Sequence, residues 1–116
     1  MDRLLRATIH TWHGLRAAAR SEAAFRQELA ALVLAVPLAF LVAVEPWKRL
    51  GLIGVVVFVL VVELLNTAIE KLSDHVTAEI HPQIGQVKDM GSAAVGLALA
   101  IAGFSWLYAV FERLAG

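Results

Sequence analysis

The 116-residue chain is 59% hydrophobic and only 17% charged, with a mean hydropathy of +0.73, an apolar share above that of soluble globular domains that points to lipid as the solvent. Ten basic residues balance ten acidic ones, so no net field favours a nucleic-acid partner, and none is expected. The absence of cysteine excludes disulfide frameworks, thiolate metal sites and cysteine nucleophiles.

The first predicted segment covers residues 2–26. Over its first nineteen or so positions, helical periodicity places Leu4, Leu5, Ile9, Trp12 and Leu15 on one face and Arg3, Arg6, His10 and His13 on the other, the pattern of a helix lying in the membrane interface. Two roles are open for it, an anchor held by its arginines and a surface that admits a lipid substrate. Arg3, Arg6 and His10 interrupt any continuous apolar stretch at the start, so no cleavable signal is expected and the mature chain should keep its N-terminus.

A first membrane span is predicted at about 29–47 around an apolar run that contains Pro37, followed by a tight turn at 45–49 containing Pro46. The second span, 50–69, has Glu63 and Asn66 as its only strongly polar members, and the third, 90–111, contains Ser92 and Ser105. Between them residues 70–89 read as a polar connection punctuated by His81-Pro82 and Gly85. There is no internal repeat, low-complexity tract or linker, so residues 1–116 form a single domain of an all-α membrane protein.

Arg3, Arg6, Arg16, Arg20, Arg26, Lys71 and Lys88 fall on one side of these spans, against Lys48, Arg49 and Arg113 on the other. The positive-inside rule then makes the N-terminus and the longer connection cytoplasmic.

At 100° per residue, Glu63, Asn66, Thr67, Glu70 and Asp74 share one helical face where the second span meets the cytoplasm. A charged residue in a membrane segment costs about 2.5–3.5 kcal/mol on insertion scales, so Glu63 needs a partner, water or a function to offset it. A packing ion pair with Lys88 would account for one carboxylate. It accounts less well for three carboxylates with an amide among them. Hard oxygen donors facing water suit Mg²⁺, which takes one or two carboxylates together with phosphate oxygens and waters, and the stripe therefore suits Mg-ATP. Glu63, the deepest of the set, is the candidate general base.

Lys88, one turn before Ser92, could supply charge to phosphates or simply snorkel at a helix end. Glu22 and Glu28 lie among arginines and could each pair with Arg20 or Arg26. His81, beside Pro82, reads as a turn residue, and the small residues Ser92, Gly96, Ala100 and Gly103 as a helix-packing face. No phosphate-binding glycine loop, dinucleotide fingerprint or protein-kinase signature occurs. The residues by themselves lead to a lipid-facing, metal-dependent site, compatible with phosphoryl transfer and equally with a proton-coupled transporter that uses Glu63 as its carrier.

Four blocks then narrow the choice. WHGLRAA at 12–18, SEAAFRQE at 21–28, VELLNTAIE at 62–70 and KDMGSAA at 88–94 together resemble the bacterial integral-membrane diacylglycerol kinase family, over nearly the whole chain. That family also contains undecaprenol kinases sharing the last two blocks, while EAAFRQE is more similar to the diacylglycerol-specific branch. The resemblance implies a homotrimeric helical bundle in the bacterial inner membrane, with an interfacial helix and three transmembrane helices per protomer and active sites shared between protomers. It implies transfer of the ATP γ-phosphoryl group to 1,2-diacylglycerol, giving phosphatidic acid, with Mg²⁺ as cofactor. Carried onto this sequence, it makes Glu63 the general base, Glu22 and Glu70 the metal ligands, and Asn66 a further site residue. Nucleotide contacts would come from Arg3, Glu22, Glu70, Glu79, Ile80, His81, Lys88 and Asp89. Lipid contacts would come from Glu63, Ser92, Trp12, Arg16, Ala24 and Phe25. The sequence departs from the family pattern at His13, where many members have lysine, at Ala19, a frequent tryptophan, and in the short stretch before Arg3.

Overall fold

The computed structural model describes residues 2–76 and 81–116. Helix α1 (Arg3–Ser21) starts where the Asp2 side chain accepts a hydrogen bond from the Leu4 N–H at 3.0 Å, satisfying one of the orphan donors of the first turn. Leu4, Leu5, Ile9, Trp12 and Leu15 are all exposed, so the apolar face foreseen for an interfacial helix is free to meet lipid. At Glu22 the backbone becomes extended (φ −118°, ψ 113°) and the helix stops. Its last carbonyls do not go unpaired. The Arg26 guanidinium reaches back to the oxygens of Ala19 (2.9 Å) and Arg20 (3.2 Å), a side-chain cap at the helix end that favours cations.

Helix α2 (Ala23–Val42), helix α3 (Pro46–Val76) and helix α4 (Pro82–Ala115) are each long and apolar enough to cross a membrane. α2 continues through Pro37, whose missing N–H is tolerable in a membrane helix with neighbours. α2 and α4 both pack on α3 and barely touch one another, so the three antiparallel helices are organised around the middle one. Two apolar clusters hold them. Phe25 and Leu60 join Ala18 of α1 near one end, and Ala39, Ala43 and Leu52 form the other cluster, with Trp106 packed against it. The Trp106 indole N–H also donates to the Leu52 carbonyl at 3.1 Å.

Two connections are shorter than the composition suggested. The turn expected at 45–49 lies instead at residues 43–45, because Pro46 opens α3 and the N–H groups of Lys48 and Arg49 bond the Glu45 carbonyl. Proline suits a first helical position, where its missing donor is not needed. Most of the polar stretch 70–89 is helical as well. Lys71, Leu72 and Asp74 extend α3 without a breaker, and His81 caps α4, its Nδ1 accepting the Gln83 N–H at 3.2 Å. Polarity marks where these helices leave the hydrocarbon, not where they end. At ~1.5 Å per residue the 31 residues of α3 extend about 46 Å, well beyond a ~30 Å hydrocarbon core.

Candidate active site

Along α3, Glu63 stands about 26 Å from Pro46 at the helical rise, near the far boundary of the hydrocarbon, and Glu70 about 10 Å further on, past it. The periodicity that groups the stripe also turns part of it inward. Glu63 and Thr67 are each 8% exposed and Asn66 is half-buried, whereas Glu70 and Asp74 are exposed. No hydrogen bond or ion pair joins Glu63 to Lys88. Lys88 instead bonds Asp74 at 2.6 Å, tying the water-side extensions of α3 and α4 together.

The Asn66 amide lies at a close approach of α3 and α4. Gly91 is buried, and a Cβ there would collide with Asn66 Oδ1. That oxygen is buried and has no hydrogen-bond partner. Unpaired buried polar atoms are costly and uncommon, about 1–3 kcal/mol each, and call for an explanation. A second one is close by. Glu28 Oε2 is also buried and unpaired, and its carboxyl interacts electrostatically with Glu63. Of the pairings open to Glu28, neither that with Arg20 nor that with Arg26 forms: Arg26 is engaged with the end of α1, and the Glu28 carboxyl lies within electrostatic reach of Glu63 on α3. A signal for this was present in the sequence. Phe25, Glu28 and Leu32 recur at helical spacing, and all three face inward.

Glu63 interacts electrostatically with Glu70 and with Glu22 in the same way, so four carboxylates, from the α1–α2 corner, α2 and α3, gather at one end of the bundle. Among the described residues no three carboxylate or imidazole groups converge tightly enough to enclose a metal by themselves. Magnesium does not need that, since one or two carboxylates with phosphate oxygens suffice, and the donor set is all hard oxygen. The corner that carries Glu22 is fixed to α3 by Lys71, whose ammonium donates to Ser21 Oγ at 3.1 Å.

The remaining expected site residues separate into groups. Lys88, half-buried, and exposed Asp89 and Ser92 lie on the first turns of α4 beside the stripe. Ala24 is exposed on α2, whereas Phe25 is 1% exposed and packs against Ala18 and Leu60 inside the bundle. Trp12 and Arg16 are exposed on α1. Arg3 begins α1, about 27 Å along the helix from Ser21, and no described contact brings it to the carboxylates of its own chain. His81 is engaged as a helix cap, and Glu79 and Ile80 lie outside the described residues.

The chain matches the family model described as prokaryotic diacylglycerol kinase over residues 9–110. It is 46% identical over 104 residues to a diacylglycerol kinase of Escherichia coli strain K12, covering 90% of this chain and 85% of that one. It is 44% identical over 106 residues to a diacylglycerol kinase of Pseudomonas aeruginosa, at 91% and 86% coverage, and 35% identical over 106 residues to one of Haemophilus influenzae, at 91% and 90%. A chain whose described residues form four helices, three of them candidate spans, with carboxylates gathered toward one end, and which is matched at this identity over nine-tenths of its length, belongs to the prokaryotic diacylglycerol kinase family, the ATP-dependent lipid kinases of bacterial membranes.

Proposed function

We propose that this kinase transfers the γ-phosphoryl group of ATP to the free hydroxyl of 1,2-diacylglycerol, with Glu63 as general base. The observation that carries the reading is the pairing of a buried carboxylate, Glu63, with two unpaired buried oxygens, Asn66 Oδ1 and Glu28 Oε2, where α3 leaves the hydrocarbon. A lipid hydroxyl reaches that depth from the bilayer and a nucleotide reaches it from water. The Glu63 carboxylate takes the hydroxyl proton as the oxygen attacks the γ-phosphorus, and the bond from that phosphorus to the β-phosphate oxygen breaks, releasing ADP. Asn66 positions the substrates beside Glu63, and Lys88 and Asp89 flank the nucleotide from the start of α4. Glu22 and Glu70 would hold Mg²⁺, which when bound neutralises phosphate charge. Phosphoryl transfer is largely positioning and charge neutralisation, so these few groups are sufficient.

The same reading places the site between chains of a homotrimer. Arg3 is remote from the carboxylates of its own chain, and two buried oxygens still lack partners, as expected of a half-built site completed by a neighbour. The excess of Lys and Arg at the Glu63 end supports a cytoplasmic N-terminus in the inner membrane. Purified protein in mixed micelles with labelled ATP and Mg²⁺ should phosphorylate diacylglycerol in preference to undecaprenol. Glu63→Gln should abolish phosphatidic acid formation while leaving the oligomer intact. Undiminished turnover by that variant would remove Glu63 from the role of base.

A further inference from the structure

The end of the bundle opposite Glu63 carries two adjoining cavities that the kinase reaction does not use. The first, of about 190 Å³, is polar at its rim, with Glu45, Lys48, Glu112 and Arg113 around it. The second, of about 540 Å³, is a groove between α3 and α4 floored by Gly51, Leu52, Val55 and Ala109 and edged by Trp47 and Tyr108. Lys48, Ala109 and Glu112 line both, so the polar chamber opens directly into the apolar groove. From Lys48 to Val55 the groove descends about 10 Å along α3 at the helical rise, which takes it from the membrane surface into hydrocarbon. Trp47 and Tyr108 are 67% and 65% exposed, and aromatic residues of this kind settle at headgroup level.

The charges of the chamber are balanced and prearranged. Lys48 Nζ lies 3.1 Å from Glu112 and 3.3 Å from Glu45, and the second Glu45 oxygen accepts the Trp47 indole N–H at 2.7 Å. Arg113 adds a second cation, its Nε directed at the Leu41 carbonyl at 3.4 Å, with the rest of the guanidinium free of described partners. Two carboxylates and two cations at the mouth of an apolar groove complement a headgroup that carries one charge of each sign. We propose that this paired cavity is a binding site for a zwitterionic, amine-bearing glycerophospholipid of the leaflet opposite the Glu63 end, its phosphate toward Arg113 and Lys48, its ammonium toward Glu45 and Glu112, and one acyl chain in the α3–α4 groove. An anionic lipid whose phosphate drew on Lys48 would loosen its pairing with Glu45 and Glu112 and bring no cation in its place.

Gly51 provides a clean perturbation, because nothing lies within 4 Å of a Cβ built on it. The side chain of Gly51→Phe starts from that open position in the groove lining and extends into the groove. The full chain, delipidated in detergent and exposed to phosphatidylethanolamine or phosphatidylglycerol, is followed by native mass spectrometry. Phosphatidylethanolamine should be retained at least tenfold more tightly than phosphatidylglycerol. Gly51→Phe should lose that retention while phosphorylating lipid at the wild-type rate in mixed micelles, and Glu112→Gln should reduce the preference between the two lipids. Equal retention of both lipids by the wild type, or unchanged retention by Gly51→Phe, would overturn the proposal. A second copy is the competing occupant. The chain has no cysteine, so a single Ser105→Cys variant that crosslinks to itself through the groove in native membranes would assign the surface to the neighbouring chain and also overturn it.

Discussion

Gly91→Ala tests the α3–α4 approach at the site with one methyl group. The added Cβ collides with Asn66 Oδ1 and lies 3.2 Å from its Cγ, so the amide must rotate away or the helices must part. Rotation is the cheaper route, since an off-rotamer side chain costs about 0.5–1.5 kcal/mol and an overpacked contact about 1–3 kcal/mol. The folded state therefore survives with a loss of roughly 1–2 kcal/mol. The catalytic cost is larger, because displacing a positioning group by about 1 Å can cost on the order of 10²-fold in rate. Initial rates of phosphatidic acid formation at saturating lipid and ATP, beside unfolding in mixed micelles, separate the two effects. A cycle with Asn66→Ala completes the argument, since with the amide removed the methyl group has nothing to displace and the two losses should not add. Wild-type turnover by Gly91→Ala, or additive losses in the double variant, would refute the role given to Asn66.

Arg26→Ala strips the cap from the end of α1 and should cost about 0.3–1 kcal/mol, the worth of a cation at an exposed helix end, read as a lower unfolding midpoint in micelles, with Arg26→Lys recovering part of it. At the other end, the hydrogen bonds from Trp47 and Lys48 hold the Glu45 carboxyl below the ordinary glutamate range. Its contribution to stability is complete above the unfolded value and is lost as pH falls through the lowered folded value. Glu45→Gln should therefore be less stable than the parent near neutrality and should lose less on acidification, in chemical denaturation at a series of pH values.

Helical periodicity and span length were enough to identify the three crossings and the face shared by Glu63, Asn66 and Glu70, because lipid imposes both on the sequence. The ends of the helices were harder to read. Residues 70–76 are polar like a loop, yet nothing in them breaks a helix, and the first breaker is the His81-Pro82 pair that starts α4. The partnerships of charged residues were harder still. Lys88 had several acidic neighbours by spacing and takes Asp74, and Arg26 passes over the nearby glutamates for backbone carbonyls seven and six residues before it. Such choices depend on how helices turn relative to one another, which one strand of sequence does not state. The inward turn of Glu28 belongs to the same class, although its spacing from Phe25 and Leu32 carried the clue.

Glu22 is the single non-helical residue between α1 and α2, and its backbone serves both. Its N–H closes the last turn of α1 on the Ala18 carbonyl, and its own carbonyl receives the Arg26 N–H at the start of α2. A side chain mounted on such a hinge pin cannot be aimed by either arm alone. One arm carries an exposed apolar row suited to lying flat on the bilayer, and the other is suited to crossing it. The direction in which the Glu22 carboxylate points is then set by the angle between α1 and α2, and a bilayer that held one arm flat and the other upright would act as a jig for that corner.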